Sequence, residues 1–297
     1  MLTMIALSNE DRKIEEEGRT LWQDAWRRLV HNPTAVISAL FIILLVIVAI
    51  FAPFIAPYTY YDQDISHARE NPSERHPLGT DELGRDILSR IIYGARISLS
   101  VATVVISIET FLGVLLGMLA GYYQGMADMI IMRLTDIMFS FPSLLLAILI
   151  MGILGSNIFN IFFALSLVGW PGMARIVRGQ VLSLKGQDFV EAARATGATD
   201  LKIMVSHIFP NLLSPVIVTA TMHVAGIILS EATLSFLGIG VQPPFPSWGI
   251  MVNELSPLLR SYPMLPLFPG IILALTVLAF NFLGDGLRDA LDPRLKG

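Results

Sequence analysis

Three carboxylates interrupt otherwise apolar stretches of this chain: Glu109, Asp136 and Glu231. A charge at bilayer depth is costly unless it is paired or faces water. Each acid is therefore a candidate for the wall of a polar path, a contact between subunits, or a buried protonated group. Glu231 has two readings of equal weight: an acid that attracts a cationic group from outside, or a hydrogen-bonding partner of a neighbouring helix. Asp136 lies one helical turn from Arg133, which predicts a local ion pair. Glu109 fits a neutral acid at a helix contact, and His223 a packing or hydrogen-bonding residue.

The remaining reactive residue types exclude more than they suggest. The chain contains no cysteine, so disulfides, thiolate nucleophiles and Cys-based metal sites are out. Its five histidines, His31, His67, His76, His207 and His223, form no close pair of the H-E-x-x-H kind. None of the four lysines, Lys13, Lys185, Lys202 and Lys296, follows a glycine, so a G-x-x-x-x-G-K-[ST] phosphate loop is absent. There is no G-x-S-x-G elbow. The net charge of −4 argues against a nucleic-acid footprint. Nothing here points to an enzyme, and no cofactor or metal site is expected in this chain.

The elements that carry these residues follow from hydropathy. Of 297 residues, 54% are hydrophobic and 15% charged, against about 25% charged in a soluble domain. Mean hydropathy is +0.66. The apolar residues fall into blocks long enough to cover a hydrocarbon core of about 30 Å. Six crossings are predicted: 34–57, 98–121, 131–153 with Pro142 inside, 158–176 with Pro171 inside, 213–236 and 266–286. Residues 1–33 form a polar tail in which Trp22, Trp26, Leu29 and Val30 predict a helix lying in the interface. The polar segment 58–97 is too charged to cross, residues 98–288 hold the core with a polar loop at 175–211, and 289–297 form a short tail. Six crossings place both termini on one side. Fourteen Lys and Arg fall on that side and six on the other, so the termini are expected in the cytoplasm. Gly113, Gly117, Gly121 and Gly125, spaced by four, predict a bare ridge for close helix packing.

The richest local pattern is Gln187–Asn211, QDFVEAARATGATDLKIMVSHIFPN. Asp188 and Glu191 fit a capping box at the start of a short helix. Gly197 supplies its stop. A second short helix is expected to start at Thr199 or Asp200 and to end at Pro210. The first helix carries small side chains, Ala192 and Ala193 among them, that let a backbone press into a partner's groove; an ordinary loop with an alanine-rich helix fits the same composition.

The sequence E-A-A-x-x-x-G at Glu191–Gly197, with Pro210 downstream, resembles the EAA motif of bacterial ATP-binding-cassette (ABC) importer permeases. The match takes in Glu191, Ala192, Ala193, Gly197 and Pro210, and departs at His207 and Phe209, where that family often has Ile and Leu. LGTDELGRDILSRIIYGARISL at 78–99, QPPFPSWG at Gln242–Gly249 and AFNFLGDGLRDALDPRLKG at 279–297 are similar to the second, "C"-type permease of the dipeptide, oligopeptide and nickel branch. The resemblance runs from about residue 22 to the C-terminus. It implies an all-α membrane protein of six transmembrane helices with the type I ABC importer permease fold, in the bacterial plasma membrane. It also implies a sister permease, two ABC ATPase subunits that hold ATP and Mg, and an extracytoplasmic substrate-binding protein. In this reading Asp188, Glu191, Ala192, Ala193 and Gly197 belong to the coupling segment that docks on an ATPase. The chain itself would form half of a path for peptides, with nickel complexes or glutathione as alternatives and Glu231 as a candidate contact for a peptide's amino end.

Outside the membrane, Ile87, Leu88, Ile91 and Ile92 share a helical face, with Arg85, Asp86, Ser89 and Arg90 elsewhere. This predicts an amphipathic helix at the outer surface. Arg85 and Asp86 could help receive the binding protein, or belong to structural ion pairs of an interfacial anchor. Two other classes stand beside the permease: a secondary carrier or channel, which would need matched broken helices or a pore ring, and a membrane scaffold without transport.

Overall fold

The computed structural model describes residues 21–292. Most of the N-terminal tail, with Arg12, Lys13 and Arg19, and the end of the C-tail lie outside the described residues. The described chain is helical, without a β-strand among the described residues.

Helix α1 (Leu21–His31) precedes α2 (Pro33–Ile50). Asn32 separates them. Its side chain accepts from Thr34 N at 3.1 Å and Ala35 N at 3.2 Å, and Pro33 stands at the first helical position, where its missing N–H is not needed. Trp22 and Trp26, one helical turn apart, are exposed on α1.

Helix α3 runs from Ile87 to Tyr123, 37 residues, about 55 Å at 1.5 Å per residue. It is one continuous helix, so the outer amphipathic helix predicted within 58–97 is the extended first turns of the second crossing. Its N-cap is Asp86, whose carboxylate accepts from Ser89 N at 2.7 Å. Helices α4 (Gly125–Phe139) and α5 (Ser143–Leu154) occupy the predicted third crossing, but they are bent by 86°. Pro142 disfavours the helical conformation at Phe141, and the chain turns there. Five helices are long and apolar enough to cross a membrane, six when this bent pair counts as one span.

Helix α6 (Ile158–Lys185) keeps Pro171 inside an unbroken helix. Helix α7 (Asp188–Ala195) is short. Helix α8 (Asp200–Phe236) is continuous through a π-helical stretch at Ile203–Ile208. The predicted stop at Pro210 is therefore corrected. The wider i→i+5 turn, with Phe209 N bonded to Met204 O, comes just before the proline, which lacks an N–H to continue an ordinary ladder. Helices α9 (Trp248–Leu255) and α10 (Met264–Leu291) complete the order.

The core forms where α3 meets α6. A Cβ on Gly117 would fall 2.6 Å from Ala174 O, one on Gly121 2.8 Å from Val181 Cβ, and one on Gly113 would collide with Met173. The glycine ridge is thus the seam of this pair, which no side chain can widen without parting the helices. Gly125 is not part of it. It adopts φ +54°, meets nothing within 4 Å, and serves the turn into α4. Helix α10 packs on α2, α8 and α1, with Gly286 against Ala35.

Candidate functional site

The segment around α7 is built from its own backbone and from α3. No side chain caps the N-terminus, since the N-cap position is Gln187 and the predicted Asp188–Glu191 capping box is not formed. At the other end Gly197 adopts φ +82°, a conformation open to glycine. Ala198 N bonds to Ala193 O at 3.1 Å and Gly197 N to Arg194 O at 3.0 Å, the paired bonds of a Schellman stop. Thr199 then caps α8, accepting from Lys202 N at 3.4 Å.

One face of α7 is fixed inward. Val190 and Ala193 are buried among Met173, Val177, Val181, Ile203, Met204 and Ile208. Ala193 therefore supports the segment from within and does not belong to its outer face. Asp188, Phe189, Glu191, Ala192, Arg194 and Ala195 are exposed. Leu201 and Val205 on α8 are exposed too, at 67% and 55%. The result is a surface of small and apolar groups edged by charge. Sequence reasoning passed over Phe189 and Leu201, whose exposure shows only when the fold fixes which face is inward.

Tyr122, at the end of α3, locks this segment on both flanks. Its hydroxyl donates to Asp200 Oδ1 at 2.6 Å, and its carbonyl accepts from Lys185 Nζ at 2.6 Å. Lys185 ends α6 and Asp200 begins α8, so α7 hangs between two anchors on one residue. Nothing local in the sequence joins positions so far apart.

Two further ion pairs tie α4 to α6 near this end. Arg178 grips Asp128 with two of its nitrogens, Nε on Oδ1 and Nη2 at 2.6 Å from Oδ2. Arg175 pairs with Asp136 at 2.8 Å. The predicted partner of Asp136, Arg133, is replaced by a residue on the adjacent helix, because α4 packs against α6 along that side.

The intramembrane acids have different surroundings. Glu231 is fully enclosed. Ser98 Oγ donates to it at 3.2 Å and Ser235 Oγ at 2.7 Å. Val241 N bonds Ser235 Oγ at 3.0 Å, so the cluster ties α3 and α8 to the loop before α9. Glu109 is also buried, but its Oε2 lies 3.7 Å from His223 Nδ1, beyond hydrogen-bond reach. Both residues border a cavity of about 280 Å³ between α3, α5, α6 and α8.

At the opposite end from α7, Arg85 and Asp86 are buried, at 6% and 2% exposure. Arg85 Nε meets Asp81 Oδ2 at 2.6 Å and its Nη2 meets Glu254 Oε2 at 3.1 Å. Arg90 bonds the same two acids at 2.5 and 2.7 Å. Asp86 pairs with His76 at 2.9 Å. Of the two readings of Arg85 and Asp86, the structure has the structural ion pairs, formed against the folded segment 58–86 and α9.

Comparisons with known proteins agree with this architecture. Residues 113–297 match the family described as binding-protein-dependent transport system inner membrane component, and residues 20–72 match the N-terminal TM domain of oligopeptide transport permease C. The glutathione transport system permease protein GsiD of Escherichia coli O157:H7 is 48% identical over 285 residues, covering 95% of this chain and 93% of that one. Its counterpart in Pectobacterium atrosepticum is 46% identical, covering 95% and 94%. Among solved structures, a chain of the inward-facing MetNI methionine ABC transporter aligns with a TM-score of 0.58 at 18% identity, over 69% of this chain and 98% of that one. A chain of an amino acid ABC transporter with histidines aligns at 0.53 and 17% identity, over 68% and 94%. The two structures share the fold.

Proposed function

Since the chain belongs to the family of binding-protein-dependent transport system inner membrane components, we propose that it forms half of a translocation path for small peptides and is driven through the surface around α7. As a member of that family it is a multi-pass inner-membrane permease subunit of an ABC importer, working with ATPase and substrate-binding partners and not itself an ATPase. Membership sets aside the secondary carrier, the channel and the inert scaffold.

The observation that carries the proposal is the construction of α7. A short helix with an exposed small-residue face is braced by Val190 and Ala193 and anchored on both flanks to Tyr122. Such a helix passes a push from outside straight into α3, α6 and α8 instead of yielding to it. We assign Asp188, Glu191, Ala192 and Gly197 to the contact with an ATPase subunit on the cytoplasmic side, and Ala193 to its support. ATP and Mg would be held by two such subunits, and a sister permease would complete the path. Arg85 and Asp86 act on a binding protein through the shape of segment 58–86, which they hold. Glu231 acts as a brace between helices.

For the substrate, a peptide fits both the oligopeptide-type N-terminal match and the relatives named for glutathione, itself a tripeptide. The test is ATP-dependent uptake by the assembled transporter in proteoliposomes, with a dipeptide, glutathione and nickel offered through its binding protein. Uptake of a peptide supports the proposal. Uptake of nickel alone refutes the substrate assignment.

A further inference from the structure

Glu109 differs from Glu231 in having acceptor capacity to spare. No seryl hydroxyl holds it, and His223 stands 3.7 Å away. The cavity of about 280 Å³ beside it has walls that are mostly apolar, with Leu144, Leu165 and Ile227 among them, and Ser143 and Ser230 join the acid and the imidazole as its polar groups. The bend at Pro142 brings Ser143 into that wall. A Cβ on Gly226 would meet nothing within 4 Å, whereas one on Gly169 would strike the Glu109 carboxyl. One glycine therefore leaves room and the other lets the acid sit where it does. The His223 side chain is 36% exposed, so the cavity opens on the surface of this chain. An acid at that depth behind an opening onto lipid would be costly. An opening onto water or a partner protein removes that cost.

We propose that Glu109, with His223 beside it, forms a cation-recognising subsite on the translocation path, which takes the protonated amino group of a passing peptide. This rests on the permease reading above. Ser143 and Ser230 offer hydroxyls to adjacent peptide groups, and the His223 imidazole borders the same space 3.7 Å from the acid. A divalent metal is a poorer occupant, because no cluster of three or more metal-binding side chains occurs among the described residues.

The complete transporter, with its ATPases and binding protein, is reconstituted in proteoliposomes. Maximal uptake is compared for a dipeptide and its N-acetylated form, each loading the binding protein fully, so that selection by that protein drops out. Wild type is expected to favour the free amine by about tenfold, the effect of one charge-assisted hydrogen bond. In Glu109→Gln this ratio falls toward one, while ATP hydrolysis stimulated by loaded binding protein persists. Gly226→Leu, which puts bulk into the cavity and leaves the acid in the sequence, is expected to slow both peptides with stimulated hydrolysis retained, and it carries the test should the first variant fail to assemble. An unchanged ratio in Glu109→Gln, a wild type indifferent to acetylation, or unchanged uptake in Gly226→Leu overturns the subsite and leaves the permease reading standing. Wild-type liposomes that import no peptide overturn both. Inhibition by nickel that Glu109→Gln abolishes overturns the amine assignment in favour of a metal.

Discussion

Arg90 Nη2 donates to Glu254 Oε2 at 2.7 Å, joining the first turns of α3 to α9. Arg90 is only 1% exposed, and it shares both of its acids, Asp81 and Glu254, with Arg85. Buried pairs contribute modest net stability, but removing one partner leaves charge without compensation. Arg90→Leu should therefore destabilise the end of the protein built from segment 58–86, the first turns of α3 and α9 by about 3 kcal/mol. Denaturant unfolding of the purified complex in detergent checks this. Stability within about 0.5 kcal/mol of wild type, the usual range of a surface change, would show that the network is dispensable.

A second prediction concerns the α3–α6 seam. Gly117→Leu puts a branched side chain where even a Cβ would lie 2.6 Å from a backbone carbonyl. Overpacking of this kind costs about 1–3 kcal/mol or more. Gly152→Ala is the control, since a Cβ there meets nothing within 4 Å. It should be neutral or stabilising by about 0.5 kcal/mol, the helix preference of alanine over glycine. Thermal unfolding in detergent separates them, and equal melting of the two variants would contradict the seam.

The membrane helices were largely legible from hydropathy, because Pro33–Ile50 and Met264–Leu291 are apolar runs that need no tertiary information. The glycine ridge was legible for the same reason: a spacing of four fixes a face. What escaped were facts set by partners distant in sequence. For Arg85 and Asp86 structural ion pairs were one of two readings, but the acids that Arg85 meets, Asp81 and Glu254, and the burial of Arg90 between the same two acids, show only in the fold. Asp136 has a plausible partner one turn away, but α6 brings Arg175 closer. The inward position of Ala193 depends on how α7 lies on α6 and α8. Glu231 stood as the candidate for a cationic group and Glu109 as a neutral acid at a helix contact, and their surroundings, hydroxyls for the first and a cavity for the second, reverse that order.

The double anchor at Tyr122 predicts a selective defect. Tyr122→Phe removes the hydrogen bond to Asp200 and leaves the Lys185 contact to the backbone carbonyl intact. The loss is about 1 kcal/mol, too little to unfold the protein. It should nonetheless lower the amount of substrate imported per ATP hydrolysed. Parallel assays of uptake and phosphate release in proteoliposomes give this ratio, and an unaltered ratio would remove Tyr122 from the transmission path.

Gly197 offers a conformational test of the same segment. At φ +82° a branched residue is strained, and the left-handed conformation costs a non-glycine residue about 1–2 kcal/mol. Gly197→Val should insert into the membrane normally yet import poorly while hydrolysis continues. Glu191→Ala should do the same by removing an exposed charge from α7. Normal uptake in both variants would count against the assignment of the segment.

The central claim is that the exposed face of α7 meets an ATPase. The chain has no native cysteine, so a single Ala192→Cys substitution gives one reactive thiol on that face. Disulfide or short bis-maleimide cross-linking of the intact transporter, with a scan of single cysteines on the ATPase, is the direct measurement. The account predicts a cross-linked permease–ATPase product from Ala192→Cys and none from Ala193→Cys, whose thiol would point inward. A thiol at 192 that joins no ATPase cysteine, or that an impermeant reagent labels from outside the cell, would contradict it.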